Sequence, residues 1–179
     1  NSGTYLEDIR DIIQKKPFRE YTLNTNYRST AQIMKFALGI MGRKEDDSAL
    51  CVRSGPVPQV VRTSAENLGK AVGNFVEEMY EKGYENIAVL CKSAESAAAA
   101  SASIHMSTSV VSNINLKVLP IYLAKGLEFD AVAVWNADRK SYGEEGDKNL
   151  LYTAVTRAMH EVRAFFVDTC SPFLPVESS

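Results

Sequence analysis

Lys125, Gly126 and Glu128 lie in a polar break between two apolar runs, one ending near Leu123 and the other resuming by Ala131. Such a pattern is typical of two segments buried in one sheet and joined by a turn. We expect the break at a sheet edge where ligands are usually held, so that its basic and acidic side chains can contact a ligand. The alternative is a glycine-dependent connection in which Lys125 and Glu128 pair with each other across the turn.

Arg28 belongs to the stretch LNTNYRST at 23–30 and lies just before a predicted helix. Ser29 followed by Gln32 is a capping-box pattern, which places the start of the helix there. A guanidinium beside the unpaired backbone N–H groups of a helix N-terminus favours the binding of a phosphate. The alternative is an ordinary surface arginine.

Arg157 belongs to the stretch LLYTAVTRA at 150–158, within a helix that we predict over residues 148–160. On a helical wheel it falls at the edge of the buried stripe, which anchors the base of the side chain and lets the guanidinium reach outward. The alternative is an i,i+4 salt bridge to Glu161, which would contribute only about 0.3 to 0.5 kcal/mol.

Taken in the order of the chain, these three stretches resemble motifs IV, V and VI of the second RecA-like domain of superfamily 1 DNA helicases of the UvrD/Rep type. The sequence of residues 120–130, together with TRAMH at 156–160, is most similar to that of the helicase IV (HelD-like) branch. The resemblance extends over nearly the whole chain. Three motifs in a fixed order are far more specific than any one of them.

The resemblance implies an ATP site. In it, Arg28 contacts the terminal phosphate of ATP and Arg157 is the arginine finger, so these two are the expected catalytic residues. Tyr27 stacks on the adenine, Gly126 lies near the nucleotide, and Glu128 accepts a hydrogen bond from the ribose. For Tyr27 the alternative is a core tyrosine with a hydrated hydroxyl.

The resemblance also places Lys125 and Tyr122 near nucleic acid. Pro120 and Tyr122 depart from the commoner form of motif V, which has Thr and His at these positions. A tyrosine ring can still stack on a base, so we expect single-stranded or forked DNA as the partner.

No G-x-x-x-x-G-K-[ST] phosphate loop occurs in the sequence, and no acidic pair at a strand end indicates a metal site. We therefore expect ATP and Mg²⁺ to bind only together with a preceding RecA-like domain, and the isolated domain to be inactive. The stretch between motifs IV and V is too short for the large extra domain that UvrD-type helicases usually carry there. We expect residues 1–179 to form a single second RecA-like domain without that insertion.

Two other functions remain open. A HelD-like factor would use ATP to remodel RNA polymerase rather than to unwind DNA. A helicase-nuclease subunit is the weaker alternative, because no metal-binding carboxylate cluster follows motif VI.

The elements that must position these residues alternate between strand and helix. Strands are predicted at 20–24, 59–63, 87–91 and 162–167, besides the two apolar runs of motif V and a short strand at 110–111. Helices are predicted at 5–13, at 93–104 and from Ser64, as cap, to Gly83, besides those of motifs IV and VI. This alternation predicts an α/β fold, a mainly parallel sheet with helices on both faces. The resemblance specifies it as a three-layer RecA-like fold of the P-loop NTPase type.

Composition agrees with one globular domain, since the chain has 179 residues, of which 45% are hydrophobic. The net charge of −2 restricts any nucleic-acid contact to local groups of basic residues. No apolar run is long enough to span a membrane, and no signal peptide is indicated, which favours the cytoplasm. The three cysteines are widely spaced and match no zinc or disulfide pattern.

Overall fold

Five parallel strands form one sheet in the computed structural model, which describes residues 28–43, 53–108 and 114–175. The strands are β1 (Gln59–Thr63), β2 (Ile87–Cys91), β3 (Leu116–Pro120), β4 (Phe129–Val134) and β5 (Ala158–Val167). Their order across the sheet is β1-β5-β4-β2-β3. Strand β2 is buried along its whole length, as expected for a parallel strand covered on both faces. The predicted parallel sheet is confirmed.

Within the described residues, four helices cover the two faces of the sheet. They are α1 (Ala31–Ile40), α2 (Leu68–Glu81), α3 (Ala94–Ser107) and α4 (Asp147–Thr156). Helices α1 and α4 pack on the face to which Ala88 and Leu90 of β2 point. Helices α2 and α3 pack on the opposite face, against Ile87 and Val89. This alternation along β2 divides the core in two and gives the predicted three-layer α/β architecture.

The boundary between α4 and β5 differs from the prediction of a helix over 148–160 and a strand over 162–167. Helix α4 ends at Thr156, and β5 already begins at Ala158. The backbone N–H of Phe129 donates to the carbonyl of Arg157 at 2.9 Å, and Ala158 pairs with Phe129. Pairing with β4 therefore ends the helix although its apolar periodicity continues.

The start of α1 is also different from the capping-box prediction. Thr30 is the N-cap, and its hydroxyl accepts a hydrogen bond from the N–H of Ile33 at 3.2 Å. Ser29 bonds elsewhere, and the amide of Gln32 contacts the segment that follows Arg53. The helix starts where expected, but the neighbouring hydroxyl caps it.

Helices α2 and α3 agree better with their predicted signals. Gly83 ends α2 with φ of +96°, and Ser93 caps α3. Ser64 does not cap α2, because its hydroxyl accepts from the N–H of Asn67 in a turn before the helix. Tyr80, expected in the buried stripe of α2, is 47% exposed.

The connection from β3 to β4 carries the residues of motif V. Strand β3 ends at Pro120, earlier than its apolar run suggests, and a short 3-10 helix follows at Ile121–Leu123. Ile121 and Ala124 are buried in the core beneath α1 and α4. Because β3 and β4 are parallel, this connection returns from the carboxyl edge of the sheet to the amino edge.

Some predictions lie outside the described residues: the helix at 5–13, the strands at 20–24 and 110–111, and the position of Tyr27. Within the described ranges, no helix combines the length and the hydropathy needed to cross a membrane.

Candidate functional site

Arg28, Glu128 and Arg157 lie together at the amino ends of β4 and β5, and we call them the charged cluster. Glu128 directly precedes β4 and Arg157 directly precedes β5. The Nη1 of Arg28 lies 3.0 Å from the Oε2 of Glu128, and the Nη1 of Arg157 lies 3.5 Å from the carbonyl of Leu127. Glu128 thus pairs with Arg28, and the alternative of a pairing with Lys125 is wrong.

Backbone contacts hold the three segments of the charged cluster against one another. The hydroxyl of Ser29 donates to the carbonyl of Ala158 at 2.6 Å and lies 3.4 Å from the carbonyl of Thr156. The N–H of Phe129 donates to the carbonyl of Arg157 at 2.9 Å. Arg157 takes part in these hydrogen bonds through its own carbonyl, and Arg28 and Glu128 each directly precede a residue that takes part. All three side chains nevertheless reach solvent.

Two of the backbone N–H groups near Arg28 are not free, which corrects part of the prediction that such groups would bind a phosphate beside it. The N–H of Ala31 donates to the carbonyl of Arg53 at 2.9 Å, and the N–H of Ile33 donates to the Thr30 hydroxyl. These two donors are satisfied within the protein. The Arg28 guanidinium, whose side chain is 72% exposed, remains available to an anion.

Arg157 is the C-cap residue of α4, and its N–H donates to the carbonyl of Thr153 at 3.2 Å. The alternative of a salt bridge from Arg157 to Glu161 is wrong, because Glu161 lies on β5 and accepts from the Nζ of Lys82 at 2.9 and 3.0 Å. The Nε of Arg157 is buried without a partner in the described part of the chain. Among the same residues, its guanidinium therefore has only the long contact to Leu127 to hold it.

Lys125 and Gly126 occupy the centre of a tight turn. The N–H of Leu127 donates to the carbonyl of Ala124 at 3.0 Å, and Gly126 has φ of +80°. This conformation is that of the third residue of a type II turn, where glycine avoids the strain that a Cβ would cause. Lys125 is exposed beside it, so the turn presents a cation next to Glu128 without pairing with it.

Tyr122 is separated from the charged cluster. It lies on the 3-10 helix just after the carboxyl end of β3, and its side chain is 54% exposed. The charged cluster lies at the opposite, amino edge. Ligands usually bind at the carboxyl ends of the strands, and we expected the polar break of motif V at that edge. This expectation is wrong for Glu128, which lies at the amino edge. The ring of Tyr122 remains accessible for stacking.

Asp130 and Asn86 support the start of β4, and neither was singled out from the sequence. The carboxylate of Asp130 accepts from the N–H groups of Glu85 and Asn86, both at 3.1 Å. The side-chain amide of Asn86 donates to the carbonyl of Glu128 at 2.9 Å. The available signal was their position, since each is a polar residue at the beginning of an apolar run.

The arrangement is suited to an anionic ligand that also carries hydroxyl groups. Two guanidinium groups are the preferred partners of phosphate oxygens, and the exposed carboxylate can accept from a hydroxyl. Across residues 28–43, 53–108 and 114–175, no group of His, Cys, Asp and Glu side chains could hold a metal ion.

Two comparisons with known proteins relate the chain to helicase C-terminal domains. The UvrD-like helicase C-terminal domain family matches residues 115–164, which include Gly126, Glu128 and Arg157. A solved structure, the C-terminal domain of a possible DNA helicase from Lactobacillus plantarum WCFS1, is 33% identical with a TM-score of 0.68. The match covers 82% of this chain and 91% of that one. No curated protein matches significantly. From the identity, the coverage and the matched segment together, the chain belongs to the family of UvrD-like helicase C-terminal domains.

Proposed function

We propose that this chain is the second motor domain of an ATP-dependent DNA helicase or translocase. It supplies the charged cluster to an ATP site that a preceding RecA-like domain completes. The observation that carries the proposal is the convergence of Arg28, Glu128 and Arg157 from three separate segments at one edge of the sheet. The preceding domain supplies the phosphate loop, because the printed sequence has none.

The ion pair between Arg28 and Glu128 is easily exchanged for contacts with a nucleotide. Its side chains are 72% and 39% exposed, and such surface pairs contribute about 0 to 1 kcal/mol. On nucleotide binding, Arg28 turns to the terminal phosphate and Glu128 accepts from a ribose hydroxyl. Both groups then exchange one solvent-screened, charge-assisted hydrogen bond for another, at little cost.

Arg157 acts later than Arg28, when the cleft between the two domains closes. Its guanidinium is held only by the 3.5 Å contact to Leu127, so it can swing towards the transferring phosphate. Its backbone is fixed at the junction of α4 and β5. A planar, forked donor on a fixed base stabilises the charge that develops in the transition state. Mg²⁺, which neutralises charge on the phosphate oxygens, is held by the preceding domain.

Tyr122 and Lys125 are the proposed contacts to single-stranded or forked DNA. Both side chains are exposed, and both residues lie on the connection from β3 to β4. The ring would stack on a base and the ammonium would contact a phosphate.

We further propose that residues 1–179 form this motor domain alone, without a large insertion between motifs IV and V.

The test uses the full-length protein with forked DNA. We expect DNA-stimulated ATP hydrolysis and strand separation, and no ATP turnover by residues 1–179 alone. The absence of DNA-stimulated hydrolysis in the full-length protein would contradict the proposal. Hydrolysis without strand separation or translocation, together with retention of RNA polymerase in a pull-down, would support the HelD-like remodelling alternative.

A further inference from the structure

Ser29 is a buried hydroxyl that joins the two arginine-bearing segments of the charged cluster. It is 4% exposed and directly follows Arg28 in the chain. Its Oγ lies 2.6 Å from the carbonyl of Ala158 and 3.4 Å from that of Thr156. These are the carbonyls on either side of Arg157. One side chain thus ties the start of α1 to the backbone on both sides of the other arginine.

We propose that Ser29 is a positioning residue that fixes Arg157 relative to Arg28 for phosphoryl transfer, an inference that rests on the proposed function. The side chain of Arg157 cannot fix its own position, because its guanidinium has only a 3.5 Å contact and its Nε has no partner within the described residues. The position of the guanidinium is therefore set by the backbone from which it extends, and Ser29 holds that backbone to the segment of Arg28.

A second hydrogen bond, between two backbone groups, fixes the position of Glu128, the remaining member of the charged cluster. The N–H of Phe129, the residue after Glu128, donates to the carbonyl of Arg157 at 2.9 Å. Because this hydrogen bond joins β4 to β5, it is part of the sheet and persists without Ser29. Loss of the Ser29 hydroxyl would therefore remove the direct tie between the Arg28 segment and the backbone of Arg157, while Glu128 stays in place. A displacement of about 1 Å in such a constellation can lower a rate about a hundredfold.

The neighbouring hydroxyl provides a matched control. Thr30 is 2% exposed and is adjacent in the chain, but its hydroxyl accepts from the N–H of Ile33 within the first turn of α1. It caps the helix and, within the part of the chain that the structure describes, makes no hydrogen bond to the carbonyls beside Arg157. Thr30→Ala and Ser29→Ala each remove one buried hydroxyl, so we expect similar losses of melting temperature, a few degrees each.

The two variants should differ in their kinetics. In the full-length protein at saturating DNA, Ser29→Ala should lower kcat for ATP hydrolysis by about ten- to a hundredfold, with KM for ATP within about threefold of the parent. Thr30→Ala should leave kcat within about twofold. Ser29→Cys keeps nearly the same volume but donates only a weak hydrogen bond, so it too should lower kcat.

A double-mutant cycle with Arg157→Lys decides whether Ser29 acts through Arg157. In the Arg157→Lys background, Ser29→Ala should lower kcat by less than about twofold, since the group that it positions is already altered. An equal loss in both backgrounds, parent-level kcat in folded Ser29→Ala or Ser29→Cys protein, or an equal loss for Thr30→Ala would overturn the inference. If Arg157→Lys alone leaves kcat unchanged, the arginine-finger role fails as well, and the two failures are distinguished.

Discussion

Replacing Arg157 by alanine or by lysine in the full-length protein tests the chemistry proposed for the charged cluster. We expect DNA-stimulated kcat to fall at least about a hundredfold in both variants. Lysine should not restore it, because an ammonium keeps the charge but lacks the planar fork that contacts two oxygens at once. Nucleotide affinity should stay within about tenfold, since the finger acts mainly in the transition state.

The structure sets a low limit on the stability that either variant loses. The guanidinium makes a 3.5 Å contact to Leu127, at the outer limit of a hydrogen bond, and Glu161 is engaged by Lys82 instead. The N–H and carbonyl of Arg157 keep their partners in any variant except proline. We therefore expect a structural loss of about 0.5 kcal/mol, or about 1 to 2 °C in melting temperature. An arginine finger instead contributes roughly 10³ to 10⁵ in rate, which corresponds to about 4 to 7 kcal/mol.

The assay is steady-state phosphate release at saturating ATP and DNA, with melting temperatures measured on the same preparations. Arg62→Ala is the control, because Arg62 lies near the carboxyl end of β1 and donates twice to the carbonyl of Asp168. It should lose at least as much stability as the Arg157 variants and keep kcat within about twofold. If the Arg157 variants keep kcat within a factor of about three, Arg157 is a structural surface residue and the reasoning is wrong.

Three further predictions concern other parts of the domain. Single-stranded DNA should bind the isolated domain weakly and with strong salt dependence, and Tyr122→Ala should weaken it further; tight, salt-independent binding in fluorescence anisotropy would contradict this. Lys82→Met removes the ammonium partner of the 8% exposed carboxylate of Glu161 and should cost about 1 to 2 kcal/mol by urea unfolding, whereas Lys117→Met at an exposed site should cost almost nothing. Burial raises the pKa of the Cys91 thiol from 9.0 to about 12, so the folded state keeps a proton that the unfolded state loses. The free energy of unfolding should therefore fall as pH rises from about 9 to 12, by up to about 1.4 kcal/mol per unit, and a Cys91→Ala variant should show a smaller slope.

The sheet and most helices could be predicted because their signals are local. The run of five apolar residues in β2 has no polar face, so it fits only a strand buried on both sides. Helix α2 places Val72, Phe75, Val76 and Met79 on one side at helical spacing, and all four are buried. A glycine with positive φ follows α2, at the position where sequence reasoning ended it.

The end of α4 could not be predicted from periodicity. Residues 148–160 keep an apolar spacing that suits a helix, but the backbone of Arg157 and Ala158 is taken up by pairing with Phe129. Whether a residue continues a helix or starts a strand depends here on a partner that is distant in sequence. The same boundary excludes the alternative i,i+4 salt bridge between Arg157 and Glu161, because Glu161 lies on β5 and its carboxylate pairs with Lys82.

The choice between Ser29 and Thr30 as the helix cap shows the same limit at the site. Both hydroxyl residues suit the position, and Gln32 made Ser29 the better match to a known pattern. The deciding contact is with Ala158, which no local pattern reveals. The three charged residues themselves were found by resemblance to ordered motifs. Their convergence at the amino edge follows from the strand order, which the sequence does not specify.

The position of β5 in the sheet has a consequence for how the domain is made. Strand β5 is the last of the five to leave the ribosome, yet it lies between β1 and β4, and Gln59 pairs with Arg163. Among the described strands, β1 has no other neighbour. Strand β1 therefore acquires its partner only after the other four strands have been synthesised, and until then its edge and the apolar face under α2 stay open to other chains. A nascent chain stalled before Ala158 would lack the strand that joins β1 to β4, and we expect such chains to be degraded or to aggregate rather than to persist as a partly folded domain.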